Sequence, residues 1–281
     1  VIRQVYPRLG IVPGLILAPG WSQIPEVGLA LAAKAAKING VYSAMALLDL
    51  DTAKAKKYTD TKSVKEESGY TSPFCYPLWP CDRVGEYILA KSAVAGAMIQ
   101  YMASDNEDVP NQSPSNHLLG VGGQCLEDGT EVYLDQDQAN TVNGYGVTTA
   151  INQNGYRLWG NYTGAYPASS DAKDIWFAVR RMFSWQGNNF IQTYFDEVDD
   201  PMNNVLVQSV VDSENIRCSA YAPKYWAGAS IEYKSDDNPK TAILAGTMKF
   251  RQHIAPYTPA QEIVDIIDYD TDTLAAAVGG N

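Results

Sequence analysis

Two histidines, His117 and His253, are the only ones in a sequence of 281 residues. Histidine is the side chain whose ordinary pKa suits proton shuttling near neutrality, so a Ser-His-Asp triad would have to use one of these two. Neither stands beside a nucleophile elbow, because no Gly-x-Ser-x-Gly occurs. A surface or core histidine is the simpler reading of each. The run Gly120-Val121-Gly122-Gly123 lacks the Lys-Ser/Thr of a phosphate-binding loop and the spacing of a dinucleotide fingerprint, and reads as a tight turn. Cys75, Cys81 and Cys125 could be joined with His117 on paper as zinc ligands. Their spacings match no standard finger, and aromatics and prolines flank Cys75 and Cys81, so buried thiols are favoured. The acidic pairs Asp49/Asp51, Asp135/Asp137 and Asp199/Asp200 suit turns and helix caps better than acid–base work. Asn161-Tyr162-Thr163 is a glycosylation sequon, of consequence only in a secretory protein. No catalytic residue, metal site or cofactor is therefore expected, and the chain is read as a non-enzyme.

The elements that would have to position any such group come from an ordinary folding composition. Apolar residues make up 46% and charged residues 19% of the chain, enough for a buried core across one large or two smaller domains. Lys and Arg number 21 against 32 Asp and Glu, a net charge of −11. That balance argues against a nucleic-acid surface and against a polybasic membrane patch. The most apolar stretch, residues 9–18, is broken by Pro13 and Gly14 and is too short to span a bilayer. Arg3 and Arg8 before it mimic a signal peptide only faintly. The first residue is not Met, which reads as a processed chain or a fragment. Four cysteines in this length make no disulfide scaffold and fit a reduced, intracellularly assembled protein.

Residues 9–17 predict a strand, 25–39 a helix with Val27, Leu31, Ala35 and Ile38 on one face, and 41–50 a buried strand. Residues 52–65 predict a solvated helix or loop, 74–79 a strand, and 82–101 a helix with small residues at Ala90, Ala93, Gly96 and Ala97. A surface loop at 104–115 and a short helix at 135–141 follow. Strands at 147–151 and 156–159 are joined through Asn152-Gln153-Asn154-Gly155, and Asn-Gly is a strong hairpin signal. Alternation of this kind favours a helix-covered α/β sheet. Beyond about residue 165 the pattern changes. It predicts a long helix at 171–198 with a possible break at Gly187, a helix at 202–213, and strands at 229–233, 242–254 and 261–269. The expected division is an α/β domain over 1–164 and an α+β region over 165–281 with a terminal arm from about 261.

One segment is specific. Residues 143–163 read Asn-Gly-Tyr-Gly-Val-Thr-Thr-Ala-Ile-Asn-Gln-Asn-Gly-Tyr-Arg-Leu-Trp-Gly-Asn-Tyr-Thr. This resembles the hallmark of contractile-tail sheath proteins, in which a Gly-Val/Ile strand turns into a Trp-Gly-Asn/Ala-Arg-Thr segment. Gly155, Tyr156, Arg157, Trp159, Gly160, Asn161 and Thr163 carry the likeness, and Tyr162 stands where the family has Arg. Pro13 to Gly20, Ser92-Ala93-Val94-Ala95-Gly96 and Ser113-Pro114-Ser115-Asn116 resemble family segments upstream. Phe177 to Met182, Lys249-Phe250-Arg251 and Pro259 to Ile263 do so downstream, all in family order. The likeness runs from about residue 9 to about residue 270 and is similar to the sheaths of P2-like phages, which carry further N-terminal residues including a strand-forming arm.

The resemblance implies a structural protein of the virion tail, assembled in the host bacterial cytoplasm. Its subunits stack as six-membered rings around a tail tube and contract to drive the tube through an envelope. The fold it implies is a helix-covered mixed sheet of subtilisin-like topology, a label that carries no protease inference. Implied partners are other sheath copies, the tube protein, the baseplate and a tail terminator. Ile263, Val264, Ile266, Ile267 and Tyr269 form an expected inter-subunit strand. Lys173 and Arg180, seven residues apart on one helix, and the adjacent Arg181 form an expected tube or neighbour contact, the alternative being a solvated face paired with Asp174. Two other readings compete. One is an α/β hydrolase built on a histidine. The other is a carbohydrate-binding surface, suggested by 18 tyrosines and six tryptophans.

Overall fold

The computed structural model describes residues 1–279. Its centre is a parallel sheet with strand order β1 (Leu15–Leu17), β2 (Met45–Asp49) and β3 (Cys75–Leu78). The pleat alternates side chains between two faces. Ile16, Ala46, Leu48, Cys75 and Trp79 turn to one face, under α2 (Pro25–Ala36) and α3 (Thr61–Ser68). Met45, Leu47, Tyr76 and Leu78 turn to the other, under α4 (Lys91–Ser104) and Phe177. Both faces are apolar, as a parallel sheet requires. All five residues of β2 are buried, so it reads as a continuous apolar run rather than an alternating one.

The sheet continues through a parallel bridge between Leu78 and Thr148 into the hairpin β7 (Thr149–Asn152) and β8 (Tyr156–Trp159). It is therefore mixed and helix-covered. A small antiparallel sheet of β4 (Cys81–Val84), β5 (Tyr87–Leu89) and β6 (Gly123–Cys125) lies beside it. The short α1 (Val5–Leu9) precedes β1. Asp135 and Gln138 form a reciprocal capping box on α5 (Gln136–Gly144). A one-turn α6 (Ala172–Ile175) leads to α7 (Phe177–Thr193) and α8 (Asn204–Ala220). After these come β9 (Trp226–Glu232), α9 (Lys240–Leu244), β10 (Arg251–Pro256) and α10 (Thr271–Ala277). Met182, Trp185, Cys218, Tyr221, Tyr225, Trp226 and Ile254 pack as a separate apolar cluster among α7, α8 and the β9–β10 pair.

Several expectations need correction. Of the strand expected at 9–17 only Leu15–Leu17 forms, because Leu9 ends α1 and Gly10 turns the chain at φ +66°. On α2 the fully buried positions are Gly28, Ala32 and Ala35, with Val27 and Leu31 only half-buried. Small residues sit innermost there because Tyr70 presses against Gly28. Residues 82–89 are a hairpin, not the start of a helix; Gly85, at φ +61°, turns it. The long helix breaks at Trp176, which is extended at φ −89° and ψ 123°, and continues through Gly187. Residues 242–254 are not one strand. Gly246 takes φ +74°, and the Asn238 amide brackets Lys249, accepting from its N–H at 2.7 Å and donating to its C=O at 2.9 Å. Gln261–Tyr269 forms no strand with any described residue; every one of its side chains is exposed. A strand needs a partner edge. Carboxylates on both faces of this segment leave it no wholly apolar side to lay on its own body.

Candidate functional site

The residues of the hallmark segment converge on one structural joint. Asn154 and Gly155 both take positive φ, 54° and 108°, which closes the β7–β8 hairpin. Arg157 then donates from Nη1 to the Asn116 carbonyl at 2.8 Å and from Nε to the Gln153 carbonyl at 3.1 Å. Trp159 donates its indole N–H to Asn140 at 2.8 Å. Gly160 donates to Ser115 Oγ at 3.1 Å, and its carbonyl accepts the buried Tyr76 hydroxyl at 2.7 Å. Asn161 meets Ser113 through its side chain, and its carbonyl accepts the Phe177 N–H at 2.8 Å. Thr163 donates its hydroxyl to the Asp174 carbonyl at 2.5 Å and its N–H to the Ile175 carbonyl at 2.8 Å. Gly164 donates to the Cys75 carbonyl at 2.8 Å. The Ser113–Asn116 turn, the hairpin, β3 and the start of α7 are thus tied together, mostly through backbone groups.

Tyr162 stacks on Tyr166 with centroids 3.7 Å apart and on Trp176 at 4.9 Å. Its hydroxyl donates to Gln261 at 2.7 Å. An aromatic stack therefore occupies this position, and it holds the root of the C-terminal segment. Beyond that root Ile263, Val264, Ile266, Ile267 and Tyr269 are 69–89% exposed.

The three basic residues expected on one helix face part company. Lys173, on α6, faces Asp171 at 3.8 Å. Arg180 is paired with Asp174 at 3.0 Å and lies 4.4 Å over the Phe74 ring. Arg181 stands 5.5 Å from the Phe177 ring and lines a cleft between α4 and α7. The residue before it in sequence points elsewhere because adjacent helix positions lie about 100° apart.

A buried polar network escaped the sequence reading. Asp49, at the end of β2, accepts the Ser92 N–H at 2.8 Å, the Ser92 hydroxyl at 2.5 Å and the Ser22 hydroxyl at 2.9 Å. It thereby satisfies the first turn of α4. Burial pushes its carboxyl above the usual range, against the pull of these donors and of Lys91. Next to it, Lys91 and Asp82 form an ion pair in which neither side chain touches solvent. Alternating polarity gives no hint of such a pair, since each partner reads locally as an ordinary surface charge.

His117 and His253 are both exposed, and His253 Nε2 meets Glu232 at 2.9 Å on the outer face of β10. Cys81 and Cys125 face each other across β4 and β6, while Cys75 lies on β3; the four cysteines are free thiols. Among the described residues no three His, Cys, Asp or Glu side chains are grouped to hold a metal ion, and no helix is long and apolar enough to cross a membrane. Replacing both histidines with Ala is expected to change the melting temperature by less than about 4 °C, the surface-substitution range. Peptidase and ester substrates should be untouched by either protein; hydrolysis lost in the double variant would restore the enzyme reading.

No protein-family model matches the sequence. The chain is 27% identical over 197 residues to the major tail sheath protein of Serratia phage KSP20, covering 67% of this chain and 48% of that one. It is 24% identical over 273 residues to the tail sheath protein of Escherichia phage P2, covering 93% of this chain and 63% of that one. The chain is related to phage tail sheath proteins. This sheath-related chain spans about half to three fifths of the length of those relatives. Its fold matches a solved structure, the PVC sheath complex of an extracellular contractile injection system in the contracted state. The TM-score is 0.76 at 17% identity, covering 97% of this chain and 75% of that one. The proteins it resembles are structural sheath proteins, not enzymes.

Proposed function

We propose that the chain is the body of a contractile-tail sheath subunit, a homo-oligomer that stacks in six-membered rings around a tail tube and contracts to drive the tube forward. The observation that carries this is the near-complete fold match to a sheath in its contracted state, joined to the sequence relation with phage sheaths. Residues 1–164 serve as the conserved α/β domain and 165–281 as the C-terminal domain. The exposed segment Ile263–Tyr269 is the strand donated to a neighbouring copy. Five apolar side chains held in water on an unpaired backbone are costly in a monomer and productive at an interface. Lys173 and Arg181 are the basic residues offered to the tube or a neighbour: Arg180 is held by Asp174 at 3.0 Å and mostly covered, whereas the contact of Lys173 with Asp171 is exposed and looser, at 3.8 Å. Baseplate and terminator contacts lie at the two ends of such a stack, the particle is a virion tail, and assembly takes place in the host cytoplasm. Heterologous contacts of this kind close into rings or extend as helices.

Electron microscopy of the intact gene product tests the reading. Tubes of uniform diameter are expected. A folded protein that stays monodisperse with its own tube protein present would overturn it.

A further inference from the structure

Asparagine followed by glycine occurs three times in the chain, at Asn39-Gly40, Asn143-Gly144 and Asn154-Gly155. Such a pair can react with itself, because no side chain on the following residue shields its backbone nitrogen. Asparagine is among the thermolabile residues, and in an unfolded chain three identical pairs would age alike. The fold gives them three different surroundings. Asn143 is buried near the end of α5, where its amide nitrogen donates to the Trp159 carbonyl at 2.8 Å and to the Val147 carbonyl at 3.0 Å. That side chain is fixed by its neighbours.

The other two pairs stand at exposed turns in a similar conformation. Asn39 and Gly40 take φ 52° and 87°, against 54° and 108° at Asn154 and Gly155. Exposure and backbone shape therefore do not separate them; hydrogen bonding does. The Gly155 N–H donates to the Asn152 side chain at 3.2 Å, and the Gly155 carbonyl accepts the Gln153 N–H at 3.0 Å, so the residue after Asn154 is held on both sides. A Cβ on Gly155 would press on Leu118 at 2.9 Å, whereas one on Gly40 would meet nothing within 4 Å. Among the described residues neither the Gly40 N–H nor the Asn39 side chain has a hydrogen-bond partner.

We infer that Asn39 is a site of spontaneous deamidation in the folded chain, and that Asn143 and Asn154 are spared. The step consumes only water. The Gly40 backbone nitrogen gives its proton to solvent base and attacks Cγ of Asn39. The new N–Cγ bond forms, the Cγ–Nδ2 bond breaks, and ammonia leaves. Water then opens the resulting cyclic imide at either carbonyl, with no change of oxidation state. One opening leaves an aspartyl residue; the other leaves an isoaspartyl one, whose backbone is longer by one carbon. Both add a negative charge to a chain that already carries −11. The extra carbon falls between Ile38 and Tyr42, which are buried and bonded to each other in both directions at 2.7 and 2.9 Å. Beside them the Asn188 amide of α7 grips the Ser43 backbone, accepting its N–H at 2.9 Å and donating to its carbonyl at 2.7 Å. The lengthened turn thus abuts the contact between α7 and the start of β2.

Storage of the folded 281-residue chain at mildly alkaline pH, followed by peptide mapping with fragment-ion mass spectrometry, tests this. A mass gain of about 1 Da, the exchange of an amino group for a hydroxyl, is expected first at Asn39. Aspartyl and isoaspartyl forms of the tryptic peptide 38–54 should separate on chromatography. The rate at Asn39 should exceed that at Asn154 by at least about tenfold. In urea the three rates should converge, since only the fold distinguishes the pairs. Asn152→Ala takes the acceptor from the Gly155 N–H without touching Asn39, and should raise the Asn154 rate by about threefold or more. Equal rates at Asn39 and Asn154 in the folded wild type, or modification at Asn154 first, overturn the assignment. An order of modification that persists in urea, or an Asn154 rate that N152A leaves unmoved, overturns the hydrogen-bond argument on which it stands.

Discussion

Replacing Lys91 with Met is expected to destabilise the chain by about 3–5 kcal/mol, the cost of stranding one member of a buried ion pair. Lys91 opens α4 and Asp82 sits on β4, so the pair joins the helix over the central sheet to the small antiparallel sheet. Both side chains are wholly buried, and Asp82 Oδ2 has no partner even in the intact protein. Burial already raises the Asp82 carboxyl above its usual range, with Lys91 the main influence holding it down. Without Lys91 that carboxyl rises further. A group whose folded pKa is raised contributes stability present below its unfolded value and lost as pH rises through the folded value. The K91M loss should therefore be larger at pH 7 than at pH 5, measured by urea midpoints at the two pH values. The double variant Asp82→Leu, Lys91→Met should recover most of the loss, because apolar residues of similar volume replace such pairs at little cost. A single-variant loss under 1 kcal/mol, or a double variant no better than the single, would show that the pair is not closed to water.

Much of the fold was legible because burial imposes simple periods. The all-buried β2, the small-residue face of α4 and the Asn-Gly hairpin each carry a local signal that tertiary packing reinforces. The failures share a cause as well. Residues 82–89 were joined to the helix that follows on the strength of its small residues from Ala90 onward, and Gly85 was the sole sign of the turn. Gly187 read as a possible break, yet a Cβ there would meet nothing within 4 Å, so no packing contact requires the glycine. The break at Trp176 has a long-range origin, since the Phe177 N–H is taken by the Asn161 carbonyl and the Ile175 carbonyl by Thr163. Of the hallmark segment the residue types were visible from sequence, but not their task, because most of their partners lie on the Ser113–Asn116 turn and on helices elsewhere in the chain. The separation of Arg180 from Arg181 depends on Asp174 and Phe74 reaching the former, which spacing alone does not specify.

At Gly164, one residue past the hallmark segment and unremarked in the sequence, a large packing effect is expected. A Cβ at this position would stand 2.5 Å from the Tyr70 carbonyl oxygen and 3.0 Å from that of Ser72, and would press on the Cys75 thiol. Two of those neighbours are backbone, and Cys75 is wholly buried on β3. Relief by moving Gly164 outward breaks its hydrogen bond to the Cys75 carbonyl. Gly164→Ala should therefore cost about 3 kcal/mol or more, the upper range for forcing a methyl into a packed site. Gly187→Ala is the matched control. It places the same methyl in open space in a helix interior and should stabilise by about 0.5–1 kcal/mol, the usual Gly-to-Ala gain. Urea unfolding of the two variants side by side decides the matter. Equal, small effects would mean that the joint between β3 and the hairpin yields easily. A large and selective loss at Gly164 would show that this joint fixes the start of α7, and so the placement of Arg181 in its cleft and of the Tyr162 stack that roots the C-terminal segment.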